Sequence, residues 1–407
     1  MARNERIDTG WQFTEMPLGT TPQGARASVS WRAVDVPHDW LISDPRDLYR
    51  SGEGWYRRAL TVNAAPGERA LLRFEGVYQD SSLFINGAFA GEWKYGYTTH
   101  EFDITEFLKP GENECLLRCV YESPNTRWYS GAGIYRHVHL KVVPPCRFVS
   151  DGIYITALPQ GPGMRVEVDS EIIVPEGKTA LLRHEVLSPD GETVAVVEGT
   201  VTAAGTDTRV LETETARRWE TDDPALYTLR STLTCGGDIH REEQRFGLRT
   251  TVFDPEKGFL LSGKQVKLHG VCLHHDLGAL GAAVNRAATR RQLNILRGIG
   301  VNAIRTSHNP PSVEMMELCD EMGLLVLSEA FDMWEMHKTE HDYASFFPEW
   351  AERDVAAWVR RDRNRPSVIL WSIGNEIYDT HAGPRGQEVT RMLMGFVRKN
   401  DPKGHAP

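Results

Sequence analysis

The chain has 407 residues, 41% apolar and 25% charged, a composition typical of water-soluble globular proteins. It is too long for one ordinary core, so about two to four domains are expected. A formal charge of -10, with Lys and Arg dispersed, argues against a nucleic-acid backbone as main partner, and no apolar run is long enough for a membrane span.

No apolar stretch follows Met1-Ala2-Arg3-Asn4-Glu5-Arg6, so no secretory signal is expected. The six cysteines are sparse and lack Cys-x-x-Cys spacing, which points to a reducing, cytoplasmic compartment. Cys115 and Cys119 fall on one face of an alternating run and read as small core residues.

Residues 1–143 read as an all-β sandwich. Strands are expected at 57–62, 70–74, 82–85, 114–120 and 137–140, with a hairpin at Asn86-Gly87. One helical turn over 103–108 stops at Pro110-Gly111. Pro144-Pro145 marks a boundary, because neither proline can donate to a ladder. Residues 144–252 form a second sandwich, with strands at 165–168, 180–186 and 226–230 and turns at Pro189-Asp190-Gly191 and Gly236-Gly237.

From 253 to 407 the period changes. Strands are expected at 265–272, 301–306, 324–327 and 368–373. Helices are expected at 290–299, with Leu293, Leu296 and Ile299 on one side, and from Ser312 to Gly323, with Met315, Cys319 and Met322 on one face. Two more are expected at 345–361 and 387–398. Strand and helix alternating four times imply parallel strands, the first half of an α/β barrel.

The polar residues collect where those strands end. His274, His275 and Asp276 follow the first, Ser307, His308 and Asn309 the second, Glu329 the third, Asn375 and Glu376 the fourth. In a barrel all of these face one rim, where barrel enzymes carry their chemistry. A metal site is not expected: His274 and His275 are adjacent on extended chain and point apart, and there is no helical His pair or Cys cluster. Gly131-Ala132-Gly133 lacks a dinucleotide fingerprint, and neither a P-loop nor a Gly-x-Ser-x-Gly elbow is present, so no cofactor is expected. Carboxylate chemistry remains. Glycoside cleavage uses two carboxyl groups flanking one bond. Glu376 suits the general acid, and Asn375 could hydrogen-bond a sugar 2-hydroxyl. Trp334 and Trp371 offer flat faces for a sugar ring, although each reads first as core.

The run Arg361-Asp362-Arg363-Asn364-Arg365-Pro366-Ser367-Val368-Ile369-Leu370-Trp371-Ser372-Ile373-Gly374-Asn375-Glu376 resembles the acid/base signature of glycoside hydrolase family 2, which includes bacterial β-galactosidases. Val301 to Pro310 and Lys267 to Asp276 are similar to two further motifs of that family, and Val36-Pro37-His38-Asp39-Trp40 and Arg127 to Arg136 to motifs of its sugar-binding domain. The resemblance covers essentially the whole chain. It implies a jelly-roll domain, an immunoglobulin-like domain and a (β/α)8 barrel with retaining chemistry. It implies Glu376 as acid/base, Asn375 as 2-hydroxyl ligand, His274, His308 and Glu329 lining the sugar pocket, and Arg305 supporting it.

Two departures stand out. Glu329 to Glu335 does not reproduce the Glu-x-His with which some galactosidases hold magnesium, so that ion is not expected. Nor is the family's nucleophilic glutamate, carried on a later strand, evident: Glu388 is the only Glu after Glu376 and falls in an expected helix. Half a barrel would also leave unpaired sheet edges. The expectation is therefore a fragment of a longer enzyme, itself inactive. The full-length enzyme would hydrolyse terminal β-glycosidic bonds, β-galactosides first, with a carbohydrate as its partner and a homo-oligomer as its candidate assembly. The alternatives are a β-glucuronidase or a non-catalytic carbohydrate-binding protein.

Overall fold

Alternation of period two shapes the first sandwich. In Arg69–Phe74 the residues Ala70, Leu72 and Phe74 are buried and those between are half-buried. In Glu112–Tyr121 the residues Cys115, Leu117, Cys119 and Tyr121 enter the core, so the two cysteines are core residues. The computed structural model describes residues 2–381, 383–404 and 406. A six-stranded sheet orders Arg32–Val34, Trp11–Met16, Gly52–Thr61, Glu112–Tyr121, Ser81–Ile85 and Ala88–Trp93. A four-stranded sheet of Arg3–Arg6, Val138–Val143, Arg69–Phe74 and His100–Asp103 completes the jelly-roll sandwich.

The second, immunoglobulin-like sandwich pairs Arg147–Gln160, Gly163–Ile173 and Gly205–Thr213 against a four-stranded sheet of Thr193–Val201, Ala180–Leu187, Tyr227–Cys235 and Asp238–Phe246. Gly236 and Gly237 close its last hairpin with φ of 58° and 98°, the left-handed pair that a tight two-residue turn requires. This sandwich has its own apolar cluster, which includes Phe148, Val166, Leu182 and Leu229.

A four-stranded parallel sheet follows, of strands β1 (Gly270–Leu273), β2 (Ala303–Thr306), β3 (Leu325–Glu329) and β4 (Val368–Ser372) in sequential order. They alternate with helices α1 (Arg286–Gly298), α2 (Val313–Met322), α3 (Phe347–Asp362) and α4 (Pro384–Asn400). This is half of a barrel. Ser312 caps α2 by accepting from Met315 N–H, and Gly323 ends it at φ 69°.

Three expectations are corrected here. The single strand over 265–272 is two pieces. Lys264–Gln265 pairs in a small antiparallel sheet with Thr251–Asp254 and Gly258–Leu261, and β1 starts only at Gly270. Between them the Asn302 side chain stands in for a ladder, accepting from His269 N–H at 2.8 Å and donating to Lys267 O at 2.9 Å. Helix α1 begins at Arg286 rather than 290, because Asn285 caps it by accepting from Ala288 N–H. Ile299 lies past the end of α1 and is exposed instead of packing beside Leu293.

One apolar cluster runs without a break from the first sandwich into the barrel. It joins Phe74, Leu83 and Tyr78 to Val326, Phe331, Trp358 and Val368. The contact is aromatic, with ring centroids of Tyr95 and Tyr343 4.2 Å apart. Buried Arg136 crosses the seam and donates to the carbonyls of Tyr97, Pro310 and Pro311.

His137 crosses it too, with Nδ1 2.8 Å from Asp8 and Nε2 2.8 Å from Glu314 on α2. Burial alone would push its pKa down. The bonds to Asp8 and Glu314 and their charges outweigh burial and raise it to about 10 from 6.5. A raised histidine stabilises the fold below its unfolded pKa and loses that contribution as pH climbs through the folded value. The urea midpoint of the wild type should therefore fall between pH 6.5 and about 10 more steeply than that of His137→Gln. Parallel profiles for the two proteins would contradict this role.

Candidate active site

Parallel strands bring their C-terminal ends to one rim. His274 follows β1, His308 follows β2, Glu329 is the last residue of β3, and Asn375 and Glu376 follow β4. The six residues expected to form the site occupy this one neighbourhood, but in very different environments.

Glu329 is fully buried, and its carboxylate is saturated by donors. Arg305 donates from Nε and Nη2 at 2.8–3.1 Å, His308 from Nδ1 at 2.5 Å and Ser372 from Oγ at 2.6 Å. Arg305 also donates to Asn375 Oδ1 at 2.8 Å. Asn375 in turn donates from Nδ2 to Asp332 Oδ1 at 2.8 Å. Asp332 is buried and also receives Lys338 Nζ at 3.0 Å, a lysine whose side chain is wholly enclosed. That ammonium group donates to Asn375 O at 2.8 Å as well. The result is an unbroken chain of charge-assisted bonds from His308 through Glu329, Arg305 and Asn375 to Asp332.

Glu376 is tied to the end of that net by Arg127, which donates to Asp332 as well. Its side chain is 67% exposed, and it accepts from Arg127 Nη1 at 3.0 Å. The hydrogen bond and charge of Arg127 hold its carboxyl below the usual range. Its φ is 45°, left-handed backbone that a glutamate seldom adopts, at a cost on the order of 1 kcal/mol. A Cβ on Gly374 would come within 2.5 Å of Ile377 Cγ1, so only glycine fits there.

The two adjacent histidines diverge as extended chain requires. His275 turns toward the first sandwich, with Nε2 2.9 Å from Ser130 O, and burial pushes its pKa down to about 4. His274 turns to the rim and packs on Trp128 and His308, centroids 4.9 and 5.4 Å away. Burial and the neighbouring His308 lower its pKa. Among the described residues its Nδ1 is enclosed without a hydrogen-bond partner. Trp334 and Trp371 are core residues, their indole N–H groups donating to Ile373 O and Asp401.

Three family models match the chain: the glycosyl hydrolases family 2 sugar binding domain over 29–144, the glycosyl hydrolases family 2 model over 156–249, and the glycosyl hydrolases family 2 TIM barrel domain over 254–403. The chain belongs to glycosyl hydrolase family 2. Beta-galactosidase BoGH2A of Bacteroides ovatus is 39% identical over 98% of this chain and 50% of its own length. A beta-glucuronidase of Bacteroides fragilis is 30% identical over 91% of this chain and 57% of its own. A family 2 member from Bacteroides cellulosilyticus superposes with a TM-score of 0.92 at 34% identity, covering 98% of this chain and 55% of the other. A beta-glycosidase from Bacteroides vulgatus gives 0.90 at 34%, covering 98% and 53%. This family 2 chain spans about half the length of the curated relatives it matches.

No local signal in the sequence places four further residues at this family 2 rim. Arg127 and Trp128 belong to a loop of the first sandwich, and nothing local shows that the loop reaches the barrel. Asp332, three residues past Glu329, was the most accessible to reasoning, because a second acid after a strand-end acid suggests a network. Lys338 sits in the long segment before α3, where a lysine ordinarily faces solvent.

Proposed function

We propose that the gene product carrying this chain hydrolyses terminal β-glycosidic bonds by a retaining, two-carboxylate mechanism, with Glu376 as acid/base and β-galactosides as substrates. The observation that carries this reading is the contrast at the rim: Glu376 presents an open carboxylate while Glu329, nearby, is consumed by the protein's own donors. Asn375 is anchored through one N–H and one lone pair, leaving one of each for a sugar hydroxyl. Arg305 acts as support. His308 and His274 form a wall of the sugar pocket, and Glu329 serves it by orienting His308. A retaining enzyme needs a second carboxylate about 5–5.5 Å away; Glu329 and Asp332 are both taken up by the protein's own donors, so this reading assigns it to the part of the relatives' length that the chain does not span. Six free cysteines, five of them buried, support a reducing compartment such as the cytoplasm. Among the described residues no helix is long and apolar enough to cross a membrane.

The galactoside reading rests on the 39% identity to a beta-galactosidase, and the second reading, a β-glucuronidase, on the 30% identity to a beta-glucuronidase. The test compares aryl β-galactoside and aryl β-glucuronide turnover by the product extended in frame past residue 407. The galactoside should have the higher kcat/KM, and the reverse order would replace the substrate. The 407-residue chain should turn over neither; activity from it would refute the external second carboxylate. Sugar binding without turnover by the extended product would make it a binding module.

A further inference from the structure

We propose that Arg127 is a positioning residue through which the first sandwich fixes where the Glu376 carboxylate points and which charge it carries. This rests on the reading of Glu376 as the acid/base.

The geometry is a fork gripped at its base. Asp332 accepts from Arg127 Nη2 at 2.7 Å and from Nε at 3.2 Å, a two-point contact that sets the plane of the guanidinium. Asp332 is itself immobilised by Lys338 and Asn375. The remaining nitrogen, Nη1, therefore has a direction set by the barrel, and it ends 3.0 Å from Glu376 Oε2. The arginine comes from one domain, its anchor and its target from another, 205 and 249 residues further along the chain.

A docking role alone does not explain the third contact. Glu376 is mostly exposed, and exposed ion pairs add little to stability. Asp332 already holds Arg127. What the contact does change is Glu376, whose backbone is committed to left-handed φ and whose side chain would otherwise be free in solvent. The charged groups around it are Arg127 from the sandwich loop and, from the segment after β3, Lys338 and Asp332. The two cations favour the ionised form and Asp332 opposes them, with Arg127 the largest influence. In a retaining cycle the same carboxyl must give up a proton and later take one from water. A fixed cation beside it favours the second state and holds it ready as a base.

The test reads Glu376 directly in the 407-residue chain, by carbon NMR titration of labelled glutamate carboxyls assigned with Glu376→Gln. Arg127→Gln should raise the Glu376 midpoint, and Arg127→Lys, which keeps the charge without the fork, should return it part of the way. Arg360→Gln is the docking control. It breaks the 2.7 Å Arg360–Glu171 pair, which ties α3 to the second sandwich, and should leave the midpoint alone. In the extended product, Arg127→Gln should move the basic limb of kcat/KM to higher pH. An unmoved Glu376 midpoint in Arg127→Gln overturns the proposal. An unmoved pH–rate limb together with a shifted midpoint, and full activity in Glu376→Gln, would instead overturn the acid/base reading.

Discussion

Glu376→Gln in the extended product should lower kcat by about 10²–10⁴ on glycosides with poor leaving groups, the usual contribution of a positioned general acid. On a dinitrophenyl glycoside, whose leaving group needs no proton, the first step should survive. The glycosyl-enzyme should then accumulate, because the base for the second step is gone as well. Stopped-flow release of dinitrophenolate would show this as a burst followed by slow turnover, and azide, a nucleophile that needs no base, should restore the rate. The fold should not be disturbed: the side chain is exposed, and Gln tolerates the same backbone about as well as Glu. Equal losses on good and poor leaving groups, with no burst, would remove Glu376 from proton transfer.

Glu329→Ala should be the most destabilising single change at the rim. It deletes the carboxylate that takes up Arg305, His308 and Ser372 in a site with no solvent exposure of its own. Removing one partner of a fully buried ion pair costs roughly 3–5 kcal/mol; Arg305 is 31% exposed and keeps its bond to Asn375, so the loss here should fall below that range. Glu329→Gln keeps the shape but turns an N–H toward existing donors, so it should fall between the variant and the wild type. Adding Arg305→Met to Glu329→Ala should recover part of the loss, since the stranded cation goes with it. Urea unfolding followed by tryptophan fluorescence would measure all three. A midpoint for Glu329→Ala equal to the wild type would show that the net around Arg305 carries no stability.

The rim was legible in sequence because a parallel strand reports its own end: a buried apolar run stops and a polar residue follows. That rule located His274, His308, Glu329 and Asn375-Glu376 without knowledge of tertiary contacts. It could not separate the open carboxylate from the enclosed one. Glu329 and Glu376 look alike in sequence, and the difference lies in Arg305, His308 and Ser372 converging on one of them. Arg127 was invisible as a partner of Glu376 because no local pattern encodes a contact across 249 residues. The run from Arg361 to Ser367 was legible as a motif but not in its work. Asn364 bonds the backbone of Ile153 and Ile155 in the second sandwich, Arg363 bonds Asn400 O and Asp151 O, and Arg361 bonds Pro311 O. The bonds to Ile153, Ile155 and Asp151 fasten the barrel to the second sandwich, those to Asn400 and Pro311 stay within the barrel, and only the far end of the run reaches the rim. At element ends, side-chain caps such as Asn285 and stand-ins such as Asn302 moved boundaries that apolar periodicity alone had placed.

The unbroken apolar cluster shared by the first sandwich and the barrel has a consequence for how such chains recombine. Sequence order places the second sandwich between them, yet its main core is separate, and it shares only the small cluster around Trp219 with the barrel. In physical terms it is an insert, and the segments on either side of it are one inheritance unit. A chimera that exchanges the middle module must match buried fastenings, Asn364 and Arg363 among them, and refill the small apolar cluster in which its Trp219 packs with Ala303, Leu325 and Ile369 of the barrel strands. One that exchanges the first module alone must rebuild half of a core and supply a new Arg127.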